Sequence, residues 1–212
     1  MTPSPDFSAP KAPDAHASGF SLRDRVAGRT IFIGVCGGIA AYKTATVVSR
    51  LAQAGANVFV AMTPAATRFV GPTTFQALSA NPVFCSPWDH IDAMDPQHIS
   101  LANRTAAALI APCTMDCLAR LATGRADDVV SLILSAIDRR KVPVLLAPAM
   151  NTTMWQQPAT QRNVATLVQD GFSMVGPGSG WQACREVGEG RMSEPEELIE
   201  AVAAACGRAS RA

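Results

Sequence analysis

Five short segments carry residue types that could do chemistry. Gly34-Val35-Cys36-Gly37-Gly38 ends an apolar run and opens a helical pattern. Glycines in that place let backbone N–H groups approach an anion at a helix start. The spacing is not G-x-G-x-x-G, and the next apolar run ends in Met62-Thr63, not in the carboxylate that would hold an adenosine ribose. A hydroxyl there suits a phosphate, so a mononucleotide is the natural ligand; the alternative is a tight turn that binds nothing. Thr114 and Asp116, in APCTMDC (111–117), stand between a strand and a helix and read equally as caps or as site residues. Asn151 offers a donor and an acceptor, enough to hold a carboxylate or an amide. Beside it, Met150, Met154 and Trp155 either wall a flat apolar pocket or fill core.

The fifth segment, 176–192, has five glycines in 17 residues, a composition that predicts a lid-like loop without regular structure. Cys184 sits in its middle beside Arg185, a cation that favours thiolate; it is either a reactive, proton-donating thiol or an exposed bystander. His98 opens a helix after the 89–97 loop and is a better candidate for proton transfer than His16 or His90, although a lone histidine is more often structural. Cys113 and Cys117 are four apart with no further ligand nearby, so they read as structural thiols, and no metal site is expected.

These segments need a scaffold that brings strand ends together. Apolar strands read at 30–36, 57–62, 106–111, 142–147 and 172–175, and helices at 44–54, 73–79, 98–105, 114–123, 127–138, 159–169 and 196–206. Such alternation predicts an α/β fold, a single doubly wound, Rossmann-like (flavodoxin-like) domain with a mostly parallel sheet. In that architecture ligands gather at the carboxyl ends of strands, where four of the five segments fall. The domain is expected over 29–207. Residues 1–28 read as a disordered tail rich in Pro, Ser and Ala, and 208–212 as a short C-terminal tail.

Composition narrows the function. Net charge is +1 with no basic block, which argues against nucleic acid or an anionic membrane as partner. No apolar run approaches the roughly 18 residues needed to cross a bilayer, and no signal-peptide core is present. Six scattered cysteines suit a reducing, cytoplasmic setting. Charged residues make up only 17% against 48% hydrophobic, so subunit interfaces are expected.

GVCGGIAAYK (34–43), HISLANRTAAALIAPCTMD (98–116), PAMNTTMW (148–155) and SGWQACREVGEGRMSEP (179–195) together resemble the flavin-dependent cysteine decarboxylases, in the same order over 30–206. The resemblance implies FMN bound between subunits of a homotrimer, with four trimers often forming a dodecamer. It assigns Gly37, Gly38, Ile39, Thr63, Thr114, Met115, Asp116, Cys117 and Ala149 to the cofactor, and Asn151 and Met154 to the substrate. His98 matches the active-site base, Asn151 the group that holds the substrate carboxylate, and Cys184 the late proton donor.

The implied reaction oxidises a cysteine thiol to a thioaldehyde, which makes the carboxylate a good leaving group; CO2 loss then gives an ene-thiol. In the branch serving coenzyme A biosynthesis the ene-thiol is reduced again, so that 4′-phospho-N-pantothenoylcysteine, a small-molecule substrate, becomes 4′-phosphopantetheine. Cys184 favours that branch over the peptidyl-cysteine decarboxylases of peptide natural products, which stop at the ene-thiol. The short, nearly neutral tail weighs against non-catalytic, flavin-binding regulatory relatives, which carry long acidic extensions. Many members are fused to the synthetase that makes their substrate; here that activity is expected either to reside elsewhere or to belong to a longer protein from which this domain is excised. One departure stands out: the family usually has Gly after this cysteine, and here it is Arg185.

Overall fold

Along the first strand, Ile31, Ile33 and Val35 point to one side and Phe32 and Cys36 to the other, and all five are buried. Burial on both faces requires helices on both. The computed structural model describes residues 21–88 and 97–209. In chain order it contains α1 (Leu22–Val26), β1 (Thr30–Val35), α2 (Ala41–Gln53), β2 (Asn57–Met62), a 3-10 turn (Ala66–Arg68), α3 (Pro72–Ser79), β3 (Val83–Phe84) and α4 (Gln97–Arg104). Then come β4 (Ala107–Cys113), α5 (Met115–Ala122), α6 (Val129–Ala136), β5 (Val144–Pro148), α7 (Thr152–Gln156), α8 (Pro158–Gln169), β6 (Ser173–Met174), β7 (Gly178–Trp181), β8 (Val187–Arg191) and α9 (Pro195–Ala209).

Six strands form one parallel sheet in the order β3-β2-β1-β4-β5-β6. Helices α2, α3 and α9 cover one face, with Val47, Leu51, Phe75, Leu198 and Val202 in the core beneath them. The other face packs under α4, α5, α6 and α8 through Leu101, Leu118, Ile133, Leu134 and Leu167. The chain therefore reverses its winding between β1 and β4, and the carboxyl ends of these two strands diverge into a crevice. The doubly wound expectation holds.

Three expectations need correcting. Residues 22–26, placed in the expected tail, form α1: Ser21 and Asp24 close a capping box, Val26 is fully buried, and Arg25 pairs with Glu200 of α9 at 2.5 and 2.7 Å. At the other end α9 continues to Ala209, past the expected boundary at 207. The glycine-rich stretch is not irregular, because β7 and β8 pair as an antiparallel hairpin. Residues 1–20, 89–96 (with His90 and most of the loop before His98) and 210–212 lie outside the described residues.

Candidate active site

The crevice between β1 and β4 is one cavity of about 980 Å³, large enough for a ligand with a substrate beside it. Three strand-end turns build its floor. The β1 turn brings Cys36, Gly37, Gly38 and Ile39 to the start of α2, whose amides no side chain caps. A Cβ on Gly37 would stand 2.4 Å from the Ala65 Cβ, so only glycine lets this turn close against the Thr63–Ala66 turn. Thr63 donates its backbone N–H to Val35 O at 3.0 Å, and its hydroxyl accepts from Ala66 N at 3.3 Å. An uncapped 13-residue helix with a hydroxyl beside it is a fitting seat for a phosphate.

The β4 turn supplies Thr114, Met115, Asp116 and Cys117. Thr114 is the N-cap of α5, its hydroxyl accepting from Cys117 N at 3.3 Å, and it also lines the cavity. Behind lies a cluster of buried thiols. Hydrogen bonding with Cys117, then burial, pushes the Cys36 thiol well up; the Cys113 contact does the same for Cys117, and burial raises Cys113. All three stay neutral at pH 7, and among the described residues no three His, Cys, Asp or Glu side chains gather as a metal cluster.

The β5 turn carries Ala149, Met150 and Asn151. Asn151 is the N-cap of α7, and its Oδ1 accepts from Met154 N at 2.8 Å. With its oxygen committed to the cap, the side chain presents its NH2, two donors suited to a carboxylate. Met154 lines the cavity and is 40% exposed. Trp155 does not line it: partly buried, it packs against the core on the second face of the sheet.

Hairpin β7–β8 closes the remaining side with Trp181, Gln182, Ala183, Cys184, Gly190 and Arg191. In its turn Arg185 N donates to Gln182 O at 2.9 Å and Gln182 N to Glu186 O at 2.8 Å, which leaves Arg185 left-handed at φ 67°. Glycine adopts that conformation freely, whereas arginine does so at a cost.

All eleven expected cofactor and substrate positions therefore line one cavity: Gly37, Gly38, Ile39, Thr63, Thr114, Met115, Asp116, Cys117, Ala149, Asn151 and Met154, joined by Cys184. His98 is not among its lining residues; it lies half-buried on α4, a helix whose Leu101 packs against the second face of the sheet. Several lining residues escaped the sequence reading. Lys43, 8% exposed, pairs with Glu194 at 3.0 Å, and Arg191 reaches the same carboxylate, which Lys43 holds below its usual range. Arg120 gathers Asp116, Asp127 and Asp128 at the rim. Lys43 stands in the GVCGGIAAYK segment, where its position was a usable signal; Arg120 had none.

A profile of the family described as Flavoprotein matches residues 20–207. The chain belongs to the Flavoprotein family. It is 46% identical to the coenzyme A biosynthesis bifunctional protein CoaBC of Haemophilus influenzae over 175 residues, 82% of this chain and 43% of that protein. The corresponding Escherichia coli protein is 43% identical, over 82% of this chain and 42% of its own length. The chain thus spans less than half the length of the curated relatives it matches. Among solved structures, a PPC decarboxylase mutant complexed with pantothenoylaminoethenethiol superposes with a TM-score of 0.72 at 26% identity, over 82% of this chain and 96% of that one. The FMN-dependent cysteine decarboxylase SpaF superposes at 0.74 with 27% identity, over 90% and 99%. No helix among the described residues is long and apolar enough to cross a membrane.

Proposed function

We propose that this chain is an FMN-dependent carboxy-lyase that converts 4′-phospho-N-pantothenoylcysteine to 4′-phosphopantetheine, the decarboxylase step of coenzyme A biosynthesis. The observation that carries the reading is the meeting, in one cavity, of an uncapped helix start, the Asn151 amide and the Cys184 thiol. The likeness to CoaBC proteins supplies the substrate class.

FMN, when bound, supplies a two-electron acceptor that gives the electrons back at the end of the cycle. Gly37, Gly38, Ile39 and Thr63 would hold its phosphate end, and Thr114, Met115, Asp116, Cys117 and Ala149 the rest. Asn151 donates to the substrate carboxylate and fixes the C–C bond that breaks. Met154 packs on the substrate. After CO2 has left, Cys184 would give its proton to the ene-thiol carbon, and water would then restore the thiol.

His98 takes the proton released when the substrate thiol is oxidised, from the cavity of a neighbouring copy. Its place away from its own cavity supports this, as do Ile39 and Tyr42, each 60% exposed at the cavity mouth, and Ile99 beside His98. The working unit on this reading is a homotrimer or an assembly of trimers in the cytoplasm. Incubating the purified protein with 4′-phospho-N-pantothenoylcysteine and weighing the product tests it. Loss of CO2 alone is expected. A further loss of two hydrogens would assign the chain to the oxidative, peptide-modifying branch, and no loss of CO2 would overturn the reading altogether.

A further inference from the structure

Between residues 181 and 187 of the hairpin, only Gln182 is buried, at 7% exposure. A buried primary amide in an exposed turn needs partners, and Gln182 has them on both sides. Its Nε2 donates to Glu189 O at 2.7 Å, Thr152 Oγ1 at 3.2 Å and Gly188 O at 3.3 Å. Its Oε1 accepts from Thr152 N at 3.3 Å and, at 3.5 Å, from the Cys184 thiol. Thr152 is the first residue of α7, next to Asn151.

The surfaces it joins fit without space for another side chain. Thr152 Oγ1 donates to Glu189 O at 2.9 Å, and Gly190 O accepts from Met150 N at 2.9 Å. A Cβ on Gly188 would stand 2.2 Å from Thr152 Oγ1, and one on Gly190 2.4 Å from Met150 O. One amide therefore touches both the turn that carries Asn151 and the thiol at the hairpin tip. The only other acceptor near that thiol among the described residues is the exposed Glu186 carboxylate, at 3.8 Å.

We infer that Gln182 is a positioning residue for the proton transfer: it clamps the hairpin to the Asn151–Thr152 turn and selects the rotamer in which the Cys184 thiol faces the cavity. A thiol on an exposed turn otherwise distributes over staggered rotamers. The inference rests on the reading of Cys184 as proton donor.

Three variants test it: Gln182→Met, which keeps length but loses every bond of the amide; Thr152→Val, which loosens the clamp and leaves the Gln182–Cys184 contact; and Cys184→Ser. Two quantities are read on the purified, flavin-loaded protein. One is amide hydrogen exchange over 187–191. The other is the ratio of ene-thiol to saturated product from 4′-phospho-N-pantothenoylcysteine. Exchange should quicken in both Gln182→Met and Thr152→Val. The ene-thiol share should rise about 10- to 100-fold in Gln182→Met alone, the scale of a misplaced reacting group. Unchanged exchange or a wild-type ratio in Gln182→Met overturns the inference. So does an equal shift of the ratio in Thr152→Val, which would make the amide a mere latch. If Cys184→Ser still gives saturated product, the donor reading fails and the positioning role goes with it. If Cys184→Ser yields the ene-thiol while Gln182→Met keeps the wild-type ratio, only the positioning role fails.

Discussion

Replacing Asn151 by Asp separates folding from chemistry at a single position. The side-chain oxygen of Asn151 accepts from Met154 N at 2.8 Å and caps α7. Aspartate caps a helix as well as asparagine does and adds a favourable charge at the helix start, so stability should stay within about 0.5 kcal/mol. In a chain of this size that is a shift in Tm of no more than about 2 °C. What changes is the face toward the cavity, where an NH2 donor becomes an anionic oxygen.

Losing a hydrogen bond to a charged group costs about 1.5–3 kcal/mol. Two carboxylates about 4 Å apart repel by about 4 kcal/mol at an effective dielectric near 20. Water reaching the half-buried Asn151 site reduces the second contribution, so kcat/KM should fall about 10³- to 10⁴-fold. The assay pairs CO2 release and product mass with Tm and flavin absorbance on the same preparation. Activity within tenfold of wild type would refute the donor role. A loss of several degrees in Tm would show that the cap was misread. Asn151→Ala gives the contrast, with comparable loss of activity and about 1 kcal/mol of stability gone as well.

Arg185→Gly removes a left-handed L-residue from the hairpin turn, worth about 1 kcal/mol, so amide exchange over 186–191 should slow about fivefold; unaltered exchange would locate the strain elsewhere. His98→Asn and Asn151→Asp should each be inactive alone, yet co-expressed they should regain activity at about a quarter of the sites if histidine and asparagine come from different copies. No recovery would place His98 within its own chain's chemistry or outside the reaction. Salt bridges hold the Glu194 and Glu200 carboxyls below their usual range, chiefly through Lys43 and Arg25. The unfolded chain then binds more protons, so this stability is full above about pH 4.5 and disappears as pH falls through the lowered values. The Glu194→Gln, Glu200→Gln double variant should therefore lose less Tm than wild type between pH 6 and pH 4.

Residues at strand ends were the legible part of the site. Thr63, Thr114 and Asn151 each follow an apolar run, and a parallel sheet brings such positions together whatever the helices do. Hairpin 178–191 was not legible, because a high glycine content reads as irregular chain. Here glycine serves close approach, to Thr152 at 188 and to Met150 at 190, and the contacting residues lie more than 30 positions away. Gln182 was hidden for the same reason: a buried amide is announced only by its distant partners. Helix α1 escaped because five residues carry no period, and its support comes from Glu200 at the other end of the chain. His98 marks a further limit: it does not line its own chain's cavity, and on the proposed reading it serves a different copy, where the order of segments in one chain cannot place it.

The distribution of thiols has a practical corollary. Cys36, Cys113, Cys117 and Cys206 are buried, with each thiol pushed above its ordinary range; Cys85 is half-buried, and Cys184 alone is exposed. At neutral pH an alkylating reagent meets one nucleophile far ahead of the rest. A fluorophore or spin label would therefore attach at the hairpin tip of the unaltered sequence and report from the cavity's edge. On the proposed role of Asn151, an electrophile built onto a carboxylate would be held in the same cavity as that sulfur, which would open the site to covalent inhibition.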